Sequence, residues 1–120
     1  MLTAEFAQRF AAEWEAAWNA HDLARVLAHY ADDFEMISPF IVAMAGEASG
    51  TLKGKDKVGA YWKSALAKLP DLRFEVIDVF YGVNSLVIYY KAVMGKRGAE
   101  IMFFDGRGKV SKSIAHYNRP

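Results

Sequence analysis

The chain has 120 residues, 53% of them apolar, with no cysteine and a formal net charge of +1. That length is one domain's worth and can bury a core without cross-links, while the lack of cysteine excludes a disulfide framework, thiol chemistry and thiolate metal sites. The near-neutral balance provides no field to draw nucleic acid or an anionic membrane, so neither partner is expected.

Charge is nevertheless uneven: residues 1–35 carry two Arg against seven acids, and residues 96–120 carry six Lys and Arg against two acids. The basic residues are scattered, which reads as solvated faces. The start, MLTAEFAQRF, has an early Glu and no apolar core of a signal peptide. No apolar run approaches the ~20 residues of a membrane span, so a soluble, cytoplasmic protein is expected.

In chain order, Thr3 to Ala20 is predicted as the first helix, with Thr3 as N-cap. Phe6, Phe10, Trp14 and Trp18 recur four apart and make one apolar stripe. Periodicity alone reads the two tryptophans as core sooner than as a ligand wall. Asp22 is placed to cap a second helix whose face is Leu23, Val26, Leu27 and Tyr30. Ala31-Asp32-Asp33 is read as a break. Phe34 to Ser38 follows as a strand with its even residues on one face, and Pro39 is read as its stop.

Phe40 to Ala45 is apolar but followed closely by Gly46, Gly50 and Gly54. It is predicted as an irregular loop that rims a pocket or meets a partner subunit, because six apolar residues in water are an aggregation hazard. Asp56 to Leu69 is a third helix stopped by Pro70, with Val58, Tyr61, Trp62, Ala65, Leu66 and Leu69 as its stripe. The period then switches to two. Leu72–Tyr81, Ser85–Met94, Ala99–Phe104 and Lys109–Tyr117 are strand candidates, separated by turn signals at 82–84, 95–98 and 105–108. Short connections imply antiparallel neighbours. The pattern is α+β: three N-terminal helices against a curved, mainly antiparallel sheet in one domain spanning residues 1–120. Ile101 and Phe103 on one strand face and Met102 and Phe104 on the other leave both sheet faces apolar, so both must be covered.

The order of elements resembles the nuclear transport factor 2-like fold, also called SnoaL-like or cystatin-like. WNAHDLARVLAHYADDFEMISP, GKDKVGAYW and FFDGRGKV carry that resemblance, which covers the whole chain. It implies a conical cavity closed by the helices, with homodimers formed through the outer face of the sheet. Because the family hosts isomerases, cyclases, dehydratases, hydrolases and pure binding modules, the fold does not select a function.

Compared with ketosteroid isomerase, its best-understood enzyme, the chain has Ser38 where the resemblance places the general-base aspartate before a proline. Trp14 stands for the oxyanion-hole tyrosine, Trp62 for a supporting tyrosine, and Glu100 for the protonated aspartate. Serine has no useful basicity and an indole N–H only donates, so steroid isomerase activity is not expected.

Glu100 is the candidate catalytic acid. It shares a strand face with Met102 and Phe104, where burial would raise its pKa; the competing reading is a surface acid paired with Arg97. Trp14, Trp18, Met36, Ser38, Trp62, Met102, Phe104, Ser113 and Tyr117 are the candidate substrate-binding residues, the last two facing the cavity if the resemblance holds. Asp32 and Asp33 are read as turn or capping residues. His21, His29 and His116 show no ligand spacing, with His29 read as peripheral; the lysines at 53, 55 and 57 read as a solvated loop; and Gly106-Arg107-Gly108 is a hairpin turn. No metal or cofactor is expected. Two readings stay open: a binder of a small apolar or aromatic molecule with cofactor-independent acid–base chemistry, or a non-catalytic ligand-binding or dimerisation module.

Overall fold

A computed structural model describes residues 1–120. Four helices, α1 (Ala4–Asn19), α2 (Leu23–Leu27), α3 (Pro39–Ala45) and α4 (Lys55–Lys68), accompany six strands. The strands are β1 (Tyr30–Ile37), β2 (Thr51–Lys53), β3 (Glu75–Tyr81), β4 (Ser85–Lys91), β5 (Arg97–Phe104) and β6 (Val110–Tyr117). They form one sheet in the order β2-β1-β6-β5-β4-β3. Every pair is antiparallel except β1 with β6. The hairpin-linked strands β3 to β6 must alternate in direction, whereas β1 reaches β6 through most of the chain and is free to run parallel to it. Register shifts in β1, β3 and at the end of β5 add residues to one side of a pair and bend the strands. No helix is long and apolar enough to cross a membrane.

α1 begins as expected: the Thr3 hydroxyl accepts the Phe6 N–H at 3.1 Å. Its buried side is Ala7, Phe10, Ala11, Trp14, Ala17 and Trp18. The helix is clamped to the sheet by hydrogen bonds as well as by packing. Asn19 both accepts the Phe74 N–H (2.7 Å) and donates to the Phe74 carbonyl (2.9 Å), and Glu15 accepts the Val76 N–H at 2.7 Å. Trp14 stacks on Phe74 at 5.2 Å between centroids. At the solvent side Glu13 takes two hydrogen bonds from Arg25 (2.6 and 2.8 Å), which joins α1 to α2. His29 also lies 3.3 Å from Glu13 and edge-on to Phe10, so it is half-buried rather than simply peripheral.

The structure corrects four expectations. α2 ends at Leu27, and Tyr30 opens β1 instead of closing a helix. Ala31-Asp32-Asp33 is not a break: it lies within β1, in the stretch where the register with β6 slips, so its side chains need not follow strict alternation. The segment 40–45 is a helix, not an irregular loop. Ser38 is extended and accepts the Phe40 N–H, and Pro39 occupies the first turn, where its missing N–H costs nothing. The short strand β2, read as glycine-rich loop, pairs with the end of β1 and sets Lys53 beside Glu35 at 3.6 Å.

Alternation in the sheet sends Met36, Leu86, Ile88, Tyr90, Glu100 and Met102 inward, all buried. The outer face carries an apolar row read directly from the register. Phe80, Val87, Ile101, Ile114 and Ile37 are paired in succession across five strands.

Gly98 lies opposite Tyr90, and a Cβ built on it would stand 2.8 Å from the tyrosine ring. Gly98→Ala is therefore expected to displace Tyr90 and cost about 1–3 kcal/mol, measured by urea denaturation; an unchanged midpoint would show that the ring moves aside freely.

Candidate functional site

Between α1, α3, α4 and the inner sheet face lies a cavity walled largely by aromatic rings. Sixteen of its 18 lining residues are hydrophobic; the two that are not are Ser38 and Glu100. Trp14 and Trp18 come from α1, Trp62 and Tyr61 from α4, Phe40 and Met44 from α3, and Tyr90 and Tyr117 from the sheet. This composition, apolar with few convergent polar groups, is that of a small-molecule site.

Glu100 is 6% exposed. One carboxylate oxygen accepts the Tyr90 hydroxyl at 3.1 Å, and the other accepts the Ser113 hydroxyl at 2.9 Å. The register explains the pair. Glu100 lies one row from the Gly98–Tyr90 pair on one side and from the Met102–Ser113 pair on the other, so both partners reach it along the same sheet face. Burial raises the Glu100 pKa, opposed by the two hydroxyl donors and by the positive potential of His116. Arg97 does not pair with it: that residue stands exposed at the strand end. A carboxylate has about four acceptor positions, so two remain for the cavity.

Four tyrosines ring this group. Burial, followed by the Glu100 charge, raises the pKa of Tyr30, Tyr61, Tyr90 and Tyr117, with Tyr61 pushed up to about 12. All four are thus neutral hydroxyl donors near neutral pH. Tyr117 lies beside the hydroxyls of Tyr90 and Ser38 and stacks on Phe40 at 4.6 Å. Trp18 Nε1 is the one buried side-chain nitrogen or oxygen without a hydrogen-bond partner, a state that costs about 1–3 kcal/mol.

Of the residues singled out from sequence, the structure brings Trp14, Trp18, Met36, Ser38, Trp62, Glu100 and Tyr117 together on the cavity wall. Met102, Phe104 and Ser113 do not line it. Met102 is fully buried core, and Phe104 packs edge-on against Phe6 and Phe10. Ser113 stands behind the wall and reaches only Glu100. They share the inward face of their strands, but Phe6 and Phe10 of α1 cover Phe104, and Met102 and Ser113 are fully enclosed. Trp14 and Trp62 are wall rather than plug, and Trp62 is held by edge contacts with Trp18 and Tyr30. Sequence reasoning missed Tyr90, although alternation from Leu86 and Ile88 places it on the inner face. No group of three or more His, Cys, Asp or Glu is placed to hold a metal ion, and Asp32 and Asp33 are exposed and line no part of the cavity.

The helices-on-sheet architecture and this pocket define a class. The SnoaL-like domain profile matches residues 11–117, and the chain belongs to that family. A SnoaL-like protein of unknown function from Burkholderia thailandensis is 51% identical, covers 98% of both chains and superposes with a TM-score of 0.95. A cystatin-like-fold protein of unknown function from Methylobium petroleophilum superposes at TM-score 0.76 with 19% identity, over 99% of this chain and 80% of that one. A SnoaL-like protein from Agrobacterium tumefaciens, provisionally named an isomerase, gives 0.76 at 15% identity, over 96% and 99%. These two show the shared fold. No curated protein matches the chain.

The Glu100 shift has a definite consequence for stability. A folded pKa above the unfolded value, near 4.3, means the native state holds more protons between the two values. Its stabilising effect is therefore full below the unfolded pKa and is lost as pH rises through the folded pKa. Glu100→Gln is expected to flatten that fall and to be neutral or stabilising near pH 7, as read from denaturation curves at several pH values. NMR titration of Glu100 near 4 would contradict the buried placement.

Proposed function

We propose that the cavity binds a small, largely apolar molecule carrying a carbonyl or similar acceptor, and that Glu100 exchanges a proton with it. The observation behind this reading is a buried carboxyl on an otherwise aromatic wall, already oriented by Tyr90 and Ser113. A raised pKa brings a carboxylate nearer the range useful to a general base. The reaction class is proton abstraction next to a carbonyl. Glu100 takes the proton from carbon, the C–H electron pair moves toward the carbonyl oxygen, and neutral tyrosine hydroxyls donate to the enolate oxygen. Where the substrate carries a C=C one carbon further on, the dienolate so formed takes the proton back at the γ-carbon as the double bond shifts into conjugation, which completes an isomerisation; without it the proton returns to the same carbon. Ligand rings would stack among Trp14, Trp62 and Phe74, and an acceptor reaching Trp18 would satisfy its indole N–H. Nothing in this chemistry needs a cofactor.

The test does not require knowing the substrate. In D2O, exchange of α-hydrogens in a panel of aromatic and cyclic ketones is followed by NMR. Wild-type protein is expected to accelerate exchange for at least one, and Glu100→Gln to lose roughly 10²–10⁴-fold of it. Ketones that bind yet exchange no faster with wild type than with the variant would support the second reading, a non-catalytic binding module.

We also propose that the protein is a homodimer through the outer sheet face. Support comes from the apolar row Phe80, Val87, Ile101, Ile114 and Ile37, with Phe80 57% exposed. The neighbouring row pairs Lys112 with Glu35, so the face carries both charge signs and can meet a two-fold copy of itself. Sedimentation at micromolar concentration is expected to give a dimer, converted to monomer by Ile101→Arg with Ile114→Arg. A wild-type monomer would remove the proposal.

A further inference from the structure

We propose, resting on the cavity reading above, that the ligand is an amphiphilic anion: its apolar or aromatic body fills the cavity, and its carboxylate-like end stays at the mouth among Lys68, Arg73 and Lys96. A second depression adjoins the cavity, formed by residues 68–73 at and beyond the end of α4 and by residues 92–94. Leu69, Leu72, Ala92 and Val93 line both spaces, so the aromatic interior and this outer vestibule meet along one apolar border. Lys68 and Arg73 lie on the vestibule wall with one acid, Asp71. On another side of the mouth Lys96 places its ammonium 4.6 Å from the centroid of Phe40, a cavity-lining ring. Lys68, Arg73 and Lys96 take part in none of the five ion pairs of the protein. The vestibule thus carries two unpaired cations against one carboxylate, and Lys96 adds a third beside Phe40, on a chain whose total charge is only +1.

The vestibule wall is itself held in place. The turn at 93–95 contains Met94 with φ +57°, and Arg119 donates to the Gly95 carbonyl at 2.7 Å and to the Met94 carbonyl at 3.4 Å. Arg119 is thus a structural tether, while the three mouth cations are free for a ligand. An anion entering this site keeps its charge in contact with water and buries only the apolar portion, which avoids the cost of desolvating a second carboxylate beside Glu100. Lys68 also lies in the last turn of α4, where a cation offsets the helix dipole; that role is indifferent to ligand charge, and the experiment separates the two.

The probes are 4-phenylbutyrate and its neutral amide, 4-phenylbutanamide, which differ only at the charged end. Binding is measured by calorimetry at low and at 0.5 M salt. The indole N–H resonances of Trp14, Trp18 and Trp62, all cavity-lining, report whether the phenyl group enters. The acid is expected to bind about tenfold more tightly than the amide at low salt, with the difference collapsing at high salt, as for exposed charges. Lys68→Gln with Arg73→Gln and Lys96→Gln should lower acid affinity to that of the amide and leave amide affinity unchanged, which also verifies folding, whereas Lys68→Gln alone lowers acid affinity only if Lys68 meets the ligand and does not merely offset the helix dipole. Should both probes shift the indole signals with equal affinity, the anion proposal is wrong and the cavity reading stands. Should neither shift them, the cavity reading fails and the proposal falls with it.

Discussion

A carboxyl group inside an aromatic enclosure must be compensated or neutralised, and that constraint organises this protein. Removing an ion from water costs several kcal/mol, and around Glu100 the structure supplies two hydroxyl donors in return. Those donors sit on different strands, Tyr90 on β4 and Ser113 on β6, so the registers of β4, β5 and β6 must be correct together for either bond to form. A slip of one residue on any of them would turn the set to the opposite face. Burial also acts on the surrounding tyrosines, whose hydroxyls the Glu100 charge further protects from ionising. The result is one acid with a raised pKa among neutral hydroxyl donors.

The rest of the chain serves to keep that enclosure shaped. Asn19 and Glu15 hold α1 to Phe74, just before β3, and to Val76 within it, which fixes Trp14 and Trp18 over the inner sheet face. Ser38 ends β1 and starts α3 in one step, and so carries Phe40 and Met44 from the strand end to the mouth. Gly98 leaves room for the Tyr90 ring where any side chain would collide with it. The aromatic contacts linking Trp18, Trp62, Tyr30 and Phe34 give α4 and β1 a common dry boundary.

Much of this was legible in the residues. The four-apart aromatics of α1, the alternation of β5 and the glycine turns located the layers, but alternation left both faces of β5 apolar, and only the family resemblance placed Glu100 inside. The helix at 39–45 was legible too: a serine followed by proline is a helix start as readily as a strand stop, and the glycines beyond it outweighed that signal. Tyr90 as partner of Glu100 was not, because partnership depends on cross-strand register, which no single strand's pattern specifies. Met102, Phe104 and Ser113 were placed on the correct face but beyond the cavity, since alternation fixes a side of the sheet and not the extent of the helix that covers it. The parallel pairing of β1 with β6 likewise follows from where the long chain returns, not from local spacing.

The central claim is that Glu100 and its tyrosines face a bound ligand's acceptor. It is tested most directly by an electron-density map of the protein co-crystallised with a small aromatic ketone such as acetophenone. The account predicts the ring among Trp14, Trp62 and Phe74, with the carbonyl oxygen in hydrogen-bond reach of the Tyr117 hydroxyl and the carbon beside it facing Glu100. A cavity collapsed onto its own rings, or a ketone bound with its oxygen turned away from this group, would contradict it.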